Sequence, residues 1–149
     1  MSGHIAWRKV DIWLQGYRSI WLSTTRPDGR PHCVPVWYWW DSEKPDVYLV
    51  LHGGTEKIKN LTDQAWVVLN AGNADDTIIL EGIAHPVTTQ SEREAINEKW
   101  QSKYIDPFSG ATASAMNDND FVYRIEVQHI MAWEYGAIQT RTDWNFERT

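Results

Sequence analysis

The residue pattern predicts a mainly β (α+β) domain, a six-stranded antiparallel β-barrel with flanking helices. Short runs of strand-forming residues recur along the chain, separated by glycine- and proline-containing turns. Only three segments carry helical spacing. One predicted strand is apolar on both faces, as expected where one face fills a barrel and the other meets a ligand or a second subunit. The 149 residues suit a single domain, 1–149, with one well-buried core, and are too few for two generous ones.

Trp7, Val10, Asp11, Leu14 and Tyr17 recur three or four apart, which predicts a helix over 6–17 with one mostly apolar side. Ser19 to Thr24 reads as a strand, and Pro27 with Asp28-Gly29 supplies a hairpin turn. The second arm, His32 to Asp41, carries Val34, Val36, Tyr38 and Trp40 on one face and Cys33, Pro35, Trp37 and Trp39 on the other. Val47 to Leu51 is a third strand, Glu56 to Thr62 a short helix, and Ala65 to Leu69 a fourth strand. Thr77 to Val87 is a fifth, with Gly82 marking a bend or bulge. Ser91-Glu92-Arg93-Glu94 reads as a capping box opening a helix whose Ile96, Trp100 and Tyr104 share a face. Asp106 to Asp120 is small, polar and glycine-containing, which predicts a long mobile loop of the kind used as a lid. Phe121 to Gln128 alternates strictly and is the closing strand, extending toward Trp133.

Composition narrows the function classes. Apolar residues at 42% and charged residues at 23% exclude a largely disordered chain. No apolar run is long enough to span a bilayer, and the opening residues lack the apolar stretch of a secretory signal, so a soluble cytoplasmic protein without membrane association is expected. A single cysteine, Cys33, rules out an internal disulfide and a zinc ribbon. A formal net charge of -6 argues against sequence-independent binding to nucleic acid. Five scattered histidines show no helical metal-ligand spacing, so no metal site is expected. Ten tryptophans in so small a domain demand aromatic packing against a core, a second subunit or a flat ligand.

The segment Gly53-Gly54-Thr55-Glu56-Lys57-Ile58-Lys59-Asn60-Leu61 runs from a strand into a helix that begins with a hydroxyl and two lysines. Glycines allow close approach, helix N-terminal N–H groups face an anion, and a first-turn lysine adds full charge, which outlines a phosphate site. Lys57 and Lys59 are the only lysines or arginines between Lys44 and Arg93. The competing reading is a solvated helix capped by Thr55. Walker and Rossmann glycine patterns are absent. His32 and Cys33, adjacent on a strand, point to opposite faces and cannot act as a base and nucleophile pair.

Ser23-Thr24-Thr25, Asp28-Gly29-Arg30-Pro31-His32, Val34-Pro35-Val36-Trp37, Gly54-Thr55-Glu56-Lys57 with Asn60-Leu61, and Leu80-Glu81-Gly82-Ile83-Ala84 together resemble the pyridoxamine 5'-phosphate oxidase-like split barrels. The similarity is to their flavin/deazaflavin oxidoreductase branch, over roughly residues 17 to 135, and Thr140 to Phe146 is similar to tails of that branch. The resemblance implies a homodimeric split β-barrel with cofactor sites for FMN or F420 at the subunit interface. It also implies that the backbone of His32, Cys33, Val34, Pro35, Val36 and Trp37 faces the isoalloxazine, that Leu51 and His52 flank the ring or ribityl chain, and that Thr55 and Lys57 hold the phosphate, with Asn60 in the same site. His32, Glu56 and Trp37 stand where FMN-binding oxidases of the family carry basic residues, which disfavours pyridoxamine phosphate as substrate and brings F420 forward.

The expected function is an FMN- or F420-dependent oxidoreductase that transfers hydride to or from a small organic substrate, with the protein supplying orientation and exclusion of water. No catalytic residue is assigned, although Tyr38, His52 and Tyr135 are chemically able to donate a proton. Trp133, Trp144 and the loop from Asp106 are expected to shape the substrate pocket. The alternatives are a non-catalytic flavin- or haem-binding or sensing protein of the same fold and a tryptophan-rich carbohydrate binder.

Overall fold

The computed structural model describes residues 4–53, 56–111, 117–135 and 137–147, with the backbone alone described over 137–139. Among the described residues, three helices and eight strands follow the order α1 (Trp7–Gly16), β1 (Ser19–Thr25), β2 (Pro31–Trp37), β3 (Trp39–Asp41), β4 (Asp46–Leu51), α2 (Glu56–Asp63), β5 (Trp66–Gly72), β6 (Thr77–Pro86), α3 (Gln90–Lys103), β7 (Phe121–Glu134) and β8 (Ala137–Asn145). Every strand pairing is antiparallel, in the order β2-β1-β5-β6-β7-β4-β3. The first half of β7 pairs with β4 and its second half with β8 on the same edge.

The two ends of this sheet, β2 and β3, are joined through the single residue Tyr38. That connection is short enough to bring the ends together, so the sheet curls into a split barrel. Tyr38 is fully buried there. Its hydroxyl donates to the Leu14 carbonyl, and its backbone N–H donates to the Tyr104 hydroxyl at 2.8 Å. The Tyr104 oxygen also lies 2.8 Å from the carbonyls of Tyr38 and Arg18. A break in the β2–β3 strand, which exposes backbone polar groups, is thus satisfied by a tyrosine from the end of α3.

Inside the barrel, Ile20, Leu22, Leu49, Leu69, Leu80, Ile125 and Ile130 form the centre of one core. The amphipathic α1 buries Val10 and Leu14 against it. Asp11, on the same side of α1, accepts the Trp40 indole N–H at 2.7 Å, which accounts for a carboxylate on a mostly apolar face. Trp7 packs edge-on against Trp40, Trp144 and Phe146, tying α1 to β3 and β8. A second small cluster, Tyr48, Val87, Ile96 and Val122, docks α3 on the outside of β4 and β7.

Several sequence expectations change in detail. The strand expected over His32 to Asp41 is two strands, because the sheet must change ends at Tyr38. The barrel has eight strands and not six: this break adds β3, and Ala137 to Asn145, mostly polar in sequence, becomes β8 by pairing with β7. The capping box does not form: α3 starts at Gln90 with Thr89 at the cap, no side-chain cap bond is made, and Glu94 accepts from the Gln90 amide at 2.9 Å. The bulge expected at Gly82 is present as a register shift between Glu81 and Gly82 opposite β7. A Cβ at Gly82 would meet the Glu126 carbonyl oxygen at 2.5 Å, so the close crossing needs glycine. Of the expected loop from Asp106 to Asp120, residues 112–116 lie outside the described residues. Asp106 closes its first turn by accepting the N–H groups of Phe108 and Ser109, both at 2.8 Å.

Candidate functional site

The site expected from sequence falls on β2, the end of β4 and the start of α2. Strand β2 is the last in the sheet and pairs only with β1, so its outer edge carries backbone groups with no strand partner among the described residues. Its side chains alternate. Val36 is buried, and Val34 is partly buried against the core. His32 is half-buried, and its Nδ1 has no hydrogen-bond partner among the described residues. Cys33, Pro35 and Trp37 project from the opposite, exposed face.

His32 lies in register opposite Thr24, whose buried hydroxyl accepts from Asn60 Nδ2 at 2.9 Å. Asn60 is completely buried, and its Oδ1 lacks a hydrogen-bond partner among the described residues. The three side chains therefore gather polar groups where α2 packs on β1, with Asn60 inside the fold. Leu51 is also buried, opposite Phe121 on β7.

Lys57 stands half-buried in the first turn of α2, and Lys59 is exposed. Thr55 and Gly54 lie outside the described residues. Glu56, the carboxylate expected to oppose an anion here, accepts from Arg26 Nε at 3.0 Å, while Arg26 Nη1 donates to the Pro31 carbonyl at 3.1 Å. Arg26 thus brings a guanidinium from the β1–β2 turn to the start of α2 and offsets the Glu56 charge. Nothing local in the sequence relates Arg26, just before the Pro27-Asp28-Gly29 turn, to a glutamate thirty positions away.

His52, directly after β4, is largely exposed, with 84% of its side chain accessible. Its Nδ1 is nevertheless 2.7 Å from Oδ1 of Asp120, a carboxylate only 5% accessible. The second carboxylate oxygen of Asp120 accepts the Asn117 N–H at 3.0 Å. Asp120 also borders a groove of about 840 Å³ whose lining includes Leu61, Ala84, Val87, Arg93 and Phe121. Arg93 Nη2 donates to the carbonyls of Asn117 and Asp120 at 3.2 and 3.0 Å, fixing the last turn before β7.

Beside β2, Trp37 stacks on Tyr104 with ring centres 4.3 Å apart and planes inclined 12°. The Arg18 guanidinium lies 5.0 Å from the Trp37 ring centre. Lys103 donates to the Tyr38 carbonyl at 2.8 Å and sits above the Tyr38 ring. Burial and then the nearby Arg18 charge push its ammonium down to about 7, and burial pushes the Tyr104 phenol up to about 12. Across the outer sheet face, Trp21, Trp37, Trp66 and Val68 are all exposed. Trp21 lies in register with Pro35 on one side and Asn70 on the other, and Val68 with Ser23, so these apolar side chains share one face of β2, β1 and β5, with polar side chains among them.

The family model described as pyridoxamine 5'-phosphate oxidase matches residues 7–134. The chain belongs to the pyridoxamine 5'-phosphate oxidase family. No curated protein matches it closely enough to add to this. Among solved structures, a conserved hypothetical protein of Mycobacterium tuberculosis superposes with a TM-score of 0.73 at 18% identity, covering 87% of this chain and 85% of that one. An FAD-binding protein of Mesorhizobium loti gives 0.63 at 16% identity, covering 85% and 92%. A pyridoxamine 5'-phosphate oxidase-related, FMN-binding protein of Nostoc punctiforme gives 0.62 at 12% identity, covering 98% and 100%. At these identities the three structures share the fold of this chain. No described helix is long and apolar enough to cross a membrane.

Proposed function

We propose that this protein is a cytoplasmic, homodimeric oxidoreductase that binds FMN or F420 and transfers hydride to or from a small organic molecule. The observation that carries this reading is the meeting of an unpaired sheet edge with a cationic helix start. Strand β2 ends the sheet, and Arg26 and Lys57 stand at the start of α2. The donor set fits such a cofactor: backbone groups of an edge strand suit the polar rim of a flat ring, and two cations suit its phosphate. His32, Cys33, Val34, Pro35, Val36 and Trp37 then run along the ring, with His52 at the end of β4 beside it. Thr55 and Lys57 hold the phosphate, Leu51 and Asn60 support that grip from inside the fold, and Arg26 joins it. When bound, the ring supplies the two-electron chemistry.

The shared fold of the FMN-binding protein of Nostoc punctiforme and the FAD-binding protein of Mesorhizobium loti supports a flavin, and the departures at His32, Trp37 and Glu56 keep F420 beside FMN. The face bearing Trp21, Trp37, Trp66 and Val68 suits a second copy of the chain, because an isolated chain would leave several large apolar side chains in water. The groove beside Asp120 suits a small substrate.

Adding FMN and F420 separately to purified protein, with intrinsic and cofactor fluorescence followed, tests the reading. Saturable binding of at least one is the expected outcome. Anaerobic reduction of the bound form, followed by reoxidation with quinones or enones, separates an enzyme from a carrier or sensor.

A further inference from the structure

His52 has a combination of features that a packing role does not require. Its ring is mostly in solvent, yet one nitrogen is fixed by a carboxylate that is almost entirely buried. Asp120 uses both oxygens, one on the Asn117 main chain and one on His52, so turning away from the imidazole would also break its bond to the Asn117 N–H. A carboxylate at Nδ1 requires the proton to sit there, which dictates that Nε2 is the nitrogen that exchanges a proton with anything else. The two residues come from the end of β4 and from the turn before β7, and Asp120 also borders the groove.

Resting on the cofactor reading above, we propose that His52 is the proton-transfer residue of the site and that Asp120 is its positioning residue. A carbonyl acceptor reduced here gains a hydride, two electrons with one proton, from the reduced cofactor and a second proton from His52 Nε2. The C=O double bond becomes C–O–H, and His52 is left neutral with its remaining proton on Nδ1 toward Asp120. Exposure of the ring lets solvent return the proton. Oxidation of an alcohol runs the same exchange backwards, with neutral Nε2 as the base.

The test uses full-length protein and nitrogen NMR of the histidine rings, with and without FMN or F420. Neutral His52 is expected in the Nδ1–H tautomer, to lose that preference in Asp120→Asn, and to shift when cofactor saturates the protein. In a single turnover, dithionite-reduced cofactor on the protein is reoxidised anaerobically by menadione. His52→Gln leaves the Asp120 bond to Asn117 intact and is expected to slow this step by about 100-fold or more. An Nε2–H tautomer in the wild type, ring signals unmoved by saturating cofactor, or a His52→Gln rate within about twofold of wild type each overturn the proposal. Absence of saturable binding of either cofactor overturns the cofactor reading itself, and the role of His52 falls with it.

Discussion

Lys57 and Tyr104 show how differently single side chains serve this protein. Lys57 is a half-buried cation in the first turn of α2, and its proposed work is a charge-assisted hydrogen bond to a phosphate. Lys57→Ala is therefore expected to weaken cofactor binding by about 1.5–3 kcal/mol without changing the unfolding temperature, read by calorimetric titration and thermal melts. Tyr104 does the reverse. Tyr104→Phe strands the buried Tyr38 N–H and is expected to cost about 1–3 kcal/mol of folding stability in denaturant titration. Lys103 adds a pH signature. Its ammonium titrates near 7 in the folded chain, through burial and Arg18, and near the ordinary lysine value when unfolded, so the unfolded chain holds more protons across that window. Stability consequently rises from pH 7 toward pH 9 in the wild type, and Lys103→Met flattens that slope in thermal melts across the same range. Of these residues, only Lys57 could be assigned a role from sequence. The pairings of Arg26 with Glu56 and of His52 with Asp120 span 30 and 68 positions, and no local pattern encodes them.

Elements were legible where their own residues decided them. The spacing of Val10 and Leu14 gives α1, the Asp28-Gly29 turn gives the β1–β2 hairpin, and Gly82 marks the bulge in β6. They were illegible where a distant partner decided. Tyr38 interrupts a run of strand formers only because Tyr104 and Leu14 hold it at the seam between sheet ends. The polar β8 is a strand because β7 offers it an edge. At α3, Thr89 takes the cap position from Ser91. The bulge gives a test at this scale. Gly82→Ala drives a Cβ into the Glu126 backbone and is expected to destabilise the fold by about 1–3 kcal/mol, measured by urea unfolding.

For the whole molecule, the two-sided apolar character of β2 gains its explanation from the barrel. The inward residues Val34 and Val36 meet the core, while Pro35 and Trp37 join Trp21, Trp66 and Val68 on an outer face that one chain leaves open. On the proposed reading, cofactor site and subunit contact share one strand. Val68→Glu places a charge in that face and is expected to convert a dimer to a monomer by light scattering and to weaken cofactor binding with it. The central claim is that the β2 edge and the start of α2 together hold a redox ring by its phosphate. Calorimetric titration of the wild type and Lys57→Ala side by side, with FMN and with F420, tests it most directly. One saturable site per chain for at least one cofactor, weakened about tenfold or more in the variant, is the predicted result; no saturable heat with either cofactor, or identical affinities in the two proteins, would contradict it.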